Sequence, residues 1–286
     1  MKTNRRQFLA ASTAGALGVA AWQLPAAALS EGSRTFHRQV GVIRWYCELR
    51  GRGPAIVLIP SGEGDCGSFE KVAITLASEF TVLSIDMPGF SRSSDPPNFD
   101  HYSISQGAAE IAALVRALGL TPATFYGCSS GGQFALRLAA EHPEVVRKVI
   151  VHEVAPAMPA LSFPAQATDE AIIHACREMF RNLLNENAAA WDALPPEFHH
   201  RLDRNYVTWV RRYLPIPDMR MPTPQELRQR PVTWTIGGLT PAVGFFNNVQ
   251  AAFAGGIQIG LLMCKHFPQV SIPDALAHHI AVAARA

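Results

Sequence analysis

Gly127-Cys128-Ser129-Ser130-Gly131 constrains what this chain can fold into more than any other stretch. A short apolar run, Ala123-Thr124-Phe125-Tyr126, leads into it, and residues 133–140 continue in helical composition. Strand, G-x-S-x-G and helix in that order describe a nucleophile elbow. The turn is too sharp for side chains on its flanks, which explains a glycine on each side. The serine is held strained, with its hydroxyl at the strand end over a helix N-terminus that favours developing negative charge. The plain alternative is an ordinary strand-to-helix loop. It weakens if an acid and a histidine follow in chain order.

Both follow. Residues 257–262 read as a late strand, and His266 comes four residues after it, placed as a general base. The alternative is a surface-loop histidine. His278 and His279, on a terminal helix through residues 274–276, are expected in solvent, and His142 before Pro143 suits a helix stop. The acid commonly follows the next-to-last strand, here residues 232–236, but Gly237-Gly238-Leu239-Thr240-Pro241 holds no carboxylate. The strand before it, residues 148–152, ends at Glu153. Neighbouring parallel strands end along one edge, so Glu153 can reach the same imidazole, hold one tautomer and stabilise the imidazolium. Its alternative is a salt-bridged strand-end glutamate. Strand alternation turns His152 to the opposite face. An oxyanion hole needs the N–H after the nucleophile, from Ser130, and one from the loop after the third strand, residues 55–60. Gly62 in Ser61-Gly62-Glu63-Gly64 is placed to give it, with Glu63 and Asp65 as loop polar residues.

The first residues, Met1 to Leu9, carry the twin arginine Arg5-Arg6 followed by Phe8-Leu9. An Ala- and Gly-rich apolar stretch and then Pro25-Ala26-Ala27-Ala28 complete what resembles a twin-arginine export signal, cleaved after Ala28. The alternative, a membrane anchor, is opposed by Ser12, Thr13, Gly15 and Gly18. The expectation is an exported protein, periplasmic or secreted. Removing residues 1–28 takes the net charge from +2 to −1, leaving no basic stripe for nucleic acid and no polybasic membrane patch. Five cysteines without a C-x-x-C pair argue against a metal site and for buried free thiols.

In the remaining chain, strand-like runs at residues 35–40, 42–49, 55–59 and 80–85 alternate with helical ones near 69–76 and 104–118. Such alternation builds a mostly parallel sheet, with ligands outside the strands' carboxyl ends. From 155 to 230 the alternation gives way to helical runs at 170–187 and 197–213, joined by prolines that include Pro156, Pro159, Pro164, Pro215 and Pro217. This reads as a helical cap inserted after strand 6, at 155–230, on a core domain of 29–154 and 231–286. Its aromatics, Phe163, Phe180, Trp191, Phe198, Tyr206, Trp209 and Tyr213, divide between cap core and an apolar pocket.

At this point the chain resembles the α/β-hydrolase fold, an eight-stranded sheet flanked by helices, and more narrowly the zearalenone lactonases. The resemblance runs from about Ile43 to Asp274. It is carried by Trp45-Tyr46, the Asp86-to-Ser93 segment, the Cys128-Ser129-Ser130 elbow, His152-Glu153, Asn205-Tyr206 with Trp209, Trp234-Thr235-Ile236-Gly237, and Gly260-Leu261-Leu262 with His266-Phe267-Pro268. It implies a triad of Ser129, Glu153 and His266, oxyanion donors Gly62 and Ser130, and lactone contacts from Trp209, Ser61, Tyr206 and Pro215. The implied reaction is opening of a macrocyclic resorcylic lactone without metal or cofactor. The partner is that small molecule, with no nucleic acid, no stable membrane association and room for a homodimer. Ser61 stands where the family often has aspartate, Met263-Cys264-Lys265 precedes the histidine unusually, and Gln269 replaces an aromatic. Two rivals stay open: a general carboxylesterase or hydrolase of another lactone, and a low-turnover binding protein on the same scaffold. An epoxide or haloalkane hydrolase would need aspartate at the elbow.

Overall fold

The computed structural model describes residues 33–154, 163–164, 166–216 and 221–286. The leader expected at 1–28 and the joints Pro156, Pro159 and Pro217 lie outside the described residues. Eight strands form one sheet: β1 (Arg34–Val40), β2 (Ile43–Arg50), β3 (Ala55–Ile59), β4 (Thr81–Ile85), β5 (Ala123–Cys128), β6 (Val146–His152), β7 (Val232–Gly237) and β8 (Ile259–Leu262). Their order is β1-β2-β4-β3-β5-β6-β7-β8. β1 and β2 are antiparallel, as are β2 and β4, and every later pair is parallel.

The sequence explains this order. β3 and β5 are near-continuous apolar runs and are buried along almost their whole length. Strands covered on both faces read that way, and they belong at the centre of a parallel sheet. β1 is mostly polar, with only Phe36 and Val40 apolar, and lies mostly exposed at the edge. Crossover helices α1 (Glu70–Leu76), α2 (Ile104–Ala117) and α3 (Ser130–Glu141) connect the early strands. α2 starts at Ser103, whose hydroxyl accepts from Gln106 N–H, one of the orphan donors of a first turn. α2 packs on α3, and α1 packs on the terminal α10 (Pro273–Arg285). His278 on α10 is exposed, but His279 is half-buried with Nε2 shielded, because it lies nearer the face that α10 turns inward.

Between β6 and β7 lie α4 (Asp169–Glu178), α5 (Ala188–Asp192), α6 (Pro196–Thr208) and α7 (Pro224–Leu227). α4 and α6 do not simply end. Each runs into a five-residue π-helical turn, Met179–Leu183 and Trp209–Tyr213. α8 (Ala242–Ala254) and α9 (Pro268–Ser271) complete the chain order. No helix among the described residues is long and apolar enough to cross a membrane. All five cysteines are buried free thiols.

The helices between β6 and β7 are fastened to the loops after β3 and β4. Arg201 on α6 grips the buried Asp65 with two hydrogen bonds, 2.6 and 3.1 Å. Asn205, wholly buried, donates to the Glu63 carbonyl at 2.7 Å and accepts from Ser91 N–H at 2.9 Å. Tyr213 donates to the Pro88 carbonyl at 2.8 Å. Arg92 answers Asp86 through Nε and Nη2 at 2.7 and 2.9 Å, and its guanidinium lies 3.6 Å over the Tyr46 ring. Removing one partner of a buried ion pair leaves a charge without compensation. Arg201→Leu is therefore expected to lower unfolding free energy by about 2 kcal/mol in urea titrations; an unchanged midpoint would mean that the Arg201–Asp65 contact carries no load.

Candidate active site

Ser129 stands between β5 and α3 at φ 53°, ψ −120°, a left-handed strain uncommon for a side-chain-bearing residue. The strain is fixed from outside, since Ser129 N–H donates to the His152 carbonyl at 3.0 Å. The elbow glycines are needed for closeness rather than handedness. A Cβ on Gly131 would come within 2.4 Å of the Ile59 carbonyl oxygen, so α3 could not start so near β3.

β6 pairs with β5 so that Cys128 faces His152, which carries Glu153 to the level of Ser129 on the next strand. Glu153 is buried and also has positive φ, 46°. Its Oε2 accepts from His266 Nδ1 at 2.7 Å. A carboxylate here can only accept, so Nδ1 carries the proton and Nε2 does not. Oε1 accepts from Gly237 N–H at 2.8 Å and from the Thr240 hydroxyl. The loop that lacks a carboxylate thus serves the one supplied by the neighbouring strand. Burial raises the Glu153 carboxyl, but the hydrogen bond and charge of His266 with the Thr240 bond outweigh it and bring it down to about 2.

All four backbone groups of Lys265 and His266 are engaged. Lys265 N–H donates to Glu186 Oε2 at 2.8 Å, and His266 N–H donates to the Leu184 carbonyl at 3.0 Å. The Cys128 thiol donates to the His266 carbonyl at 3.0 Å. The Lys265 carbonyl accepts from His152 Nε2 at 3.2 Å, while His152 Nδ1 meets the Thr235 hydroxyl at 3.0 Å. Burial pushes the His152 imidazole down to about 4, so it is a neutral donor near pH 7. Burial likewise keeps the Cys128 thiol protonated. His152, set aside on strand alternation, holds the peptide between Lys265 and His266. His152, Cys128, Thr240 and Leu184 had no motif to announce these roles. Only a register table of the strand ends could have indicated the first two.

Gly62 lies under the indole of Trp209, and a Cβ there would fall 2.6 Å from Trp209 Nε1. Ser130 opens α3, half-buried. Trp209 starts the second π turn and is nearly buried, with its ring 5.4 Å from Phe180. Phe180 lies 4.9 Å from Tyr206 and stacks on Phe267 at 5.3 Å, beside His266. Tyr206 is thus part of this buried aromatic cluster, while Tyr213 packs with Phe90, Tyr102 and Phe134. Ser61 is buried. Pro215 lies in an exposed turn just past the second π segment. Glu63 and Asp65 are both fully buried, contrary to their expected place among loop polar residues, because the helices between β6 and β7 close over that loop. Among the described residues no three His, Cys, Asp or Glu side chains gather as metal ligands.

Comparison with known proteins identifies the family of the fold. Residues 54–270 match the family model described as alpha/beta hydrolase fold. A zearalenone hydrolase of Bionectria ochroleuca is 35% identical over 249 residues, which span 83% of this chain and 92% of that protein. A zearalenone hydrolase of Cladophialophora bantiana is 39% identical over 242 residues, 83% and 91% of the two chains. Among solved structures, the enol-lactonase from Burkholderia xenovorans LB400 superposes with a TM-score of 0.69 at 20% identity, covering 86% of this chain and 98% of its own. That likeness concerns the fold alone.

The depressed carboxyl of Glu153 has a consequence for stability. A carboxyl held below its ordinary 4.5 contributes stability that is full above that pH and is lost as pH falls toward about 2. Unfolding free energy should drop by roughly 3 kcal/mol across that window. In Glu153→Gln the acid limb should be correspondingly shallower when followed by urea unfolding at stepped pH; parallel limbs in the two proteins would contradict the pairing.

Proposed function

The chain belongs to the alpha/beta hydrolase family, and within it to the zearalenone hydrolases, and we propose that it opens the ester bond of a macrocyclic resorcylic lactone of the zearalenone type through an acyl-enzyme. The observation that carries this reading is the Glu153–His266 pair, clamped at the strand ends beside a strained Ser129. In the proposed reaction Ser129 Oγ attacks the lactone carbonyl while His266 Nε2 takes its proton. Glu153 keeps the imidazole in the required tautomer and stabilises the imidazolium. The N–H groups of Gly62 and Ser130 receive the oxyanion, each worth roughly 3 kcal/mol in the transition state. His266 returns the proton to the departing alkoxide of the ring, which stays tethered as a free hydroxyl at the other end of the acyl chain. Water, deprotonated by Nε2, then cleaves the acyl-enzyme to a hydroxy acid. Written this way the reaction balances without metal or organic cofactor.

The substrate class is supported by the relatives' names and by the aromatic wall of Trp209, Tyr206, Phe180 and Phe267, which suits a flat aromatic ring fused to a lactone. Trp209 is the proposed contact to the lactone, with Ser61, Tyr206 and Pro215 as further contacts. We also propose that residues 1–28 direct export to the periplasm or medium. The decisive experiment is steady-state turnover by the purified protein. Ser129→Ala is expected to lose at least about a thousandfold in kcat on zearalenone while keeping its circular dichroism spectrum. Residual activity near the wild-type level would end the assignment of Ser129 as nucleophile. A simple aryl ester run in parallel separates a lactone-selective enzyme from a general carboxylesterase, and stoichiometric binding without steady product would indicate a binding protein.

A further inference from the structure

Glu63 follows Gly62 in the loop after β3, and the reaction above gives it no task. It is 1% exposed. Its Oε1 is 3.0 Å from Ser68 Oγ, while Oε2 is shielded from solvent and has no hydrogen-bond partner. Its backbone carbonyl is tied to Asn205 of α6. Neighbouring guanidinium groups are already committed, Arg201 to Asp65 and Arg92 to Asp86 and Asp65. Among the described residues Glu63 forms no ion pair. The titratable groups that face it are Asp65 on its own loop, His266 from the loop after β8, Cys128 and Tyr126 from β5, and Tyr206 from α6. Of these only His266 can be positive, and Glu153 already answers it. Asp65, kept ionised by Arg201 and Arg92 despite its burial, repels a second negative charge.

The Glu63 backbone N–H, the Ser68 hydroxyl and His266 favour the ionised form, but burial, with one bare oxygen and the charge of Asp65, outweighs them and shifts the carboxyl toward its neutral form. As a neutral acid it fits its surroundings better. Its O–H can donate to Ser68 Oγ, and the Ser68 proton then turns to the Asp65 carbonyl at 3.4 Å.

We propose that Glu63 is a positioning residue that works as an uncharged acid beneath the oxyanion loop. Protonated, it stays packed against Ser68, under a loop that its own backbone carbonyl ties to α6, without opposing the charge that develops on the acyl oxygen. Ionised, it sets an uncompensated negative charge next to that oxygen and weakens the transition state. This inference rests on the hydrolytic reading above. The carboxyl's displacement supports it: burial carries it up to about 7, so the change falls within an ordinary working range. A carboxyl raised in the folded state contributes stability that is full below its ordinary 4.5 and is lost as pH rises through about 7.

The test compares wild type with Glu63→Gln, which keeps the shape and cannot ionise. In the wild type, kcat on zearalenone and on an aryl ester should fall about tenfold between about pH 7 and about pH 9, and in Glu63→Gln the same ratio should stay flat. Wild-type unfolding stability should also decline through the 4.5-to-7 window relative to the variant. Superimposable pH profiles of the two proteins would overturn the proposal. Infrared difference spectra give a readout apart from turnover: a protonated carboxylic C=O stretch that titrates near pH 7 is expected, and ionisation of residue 63 already at about pH 5 would overturn it. Should Glu63→Gln fold poorly, Glu63→Leu serves for the same pH ratio. If the aryl ester is cleaved and the lactone is not, the substrate reading fails while the ester's pH ratio still decides the role of Glu63.

Discussion

The peptide of Lys265 and His266 is the point on which the remaining structure turns. A general base must present one nitrogen in one direction, and a loop after an edge strand is a poor place to fix it. β8 is four residues long and only partly buried, so the strand itself cannot impose that order. The fixing comes from hydrogen bonds on every side: the Cys128 thiol, the His152 imidazole, the Leu184 carbonyl and the Glu186 carboxylate. With the backbone held, a single 2.7 Å contact to Glu153 is enough to define the ring. That contact in turn requires β5, β6 and β7 to end at one level, which the parallel register secures.

Much of this was legible in the chain. The elbow, the strand–helix alternation and the strand-end glutamate are local patterns, and local patterns survive in sequence. The sheet and its flanking helices form as the alternation implies, with the helical insertion after the sixth strand. The π turns were not legible. Residues 170–187 and 197–213 read as simple helices, because a π turn differs from an α turn by one hydrogen-bond step and leaves no compositional mark. Nor was the burial of Glu63 and Asp65 legible. Both are acidic residues in a glycine-rich loop, and only the arrival of Arg201 and Asn205 from some 140 positions away puts them inside.

The two π turns share a purpose in the packing. A π turn widens the helix by one residue and rotates the backbone beyond it, so it re-aims side chains and frees carbonyls. After the first, the Leu184 carbonyl is turned to the His266 amide. The second starts with Trp209, whose indole presses on Gly62, and ends with Tyr213, which reaches the Pro88 carbonyl. One turn therefore meets the His266 loop and the other the loop of Gly62. In a regular helix these two adjustments would compete with the buried faces of α4 and α6, where Cys176, Leu202 and Tyr206 must stay inward.

It follows that the helices after β6 are not a cover laid over a finished site. If they moved away as a body, His266 would lose its amide partner, Asp65 would lose Arg201, and the Glu63 carbonyl would lose Asn205. Each of those losses falls on or beside a residue of the proposed site. Fastening the insertion at both the oxyanion loop and the histidine loop couples the shape of the aromatic wall to the geometry of the base. Under the proposed lactone hydrolysis, the fit of a substrate against the inserted helices and the setting of His266 would draw on one set of contacts.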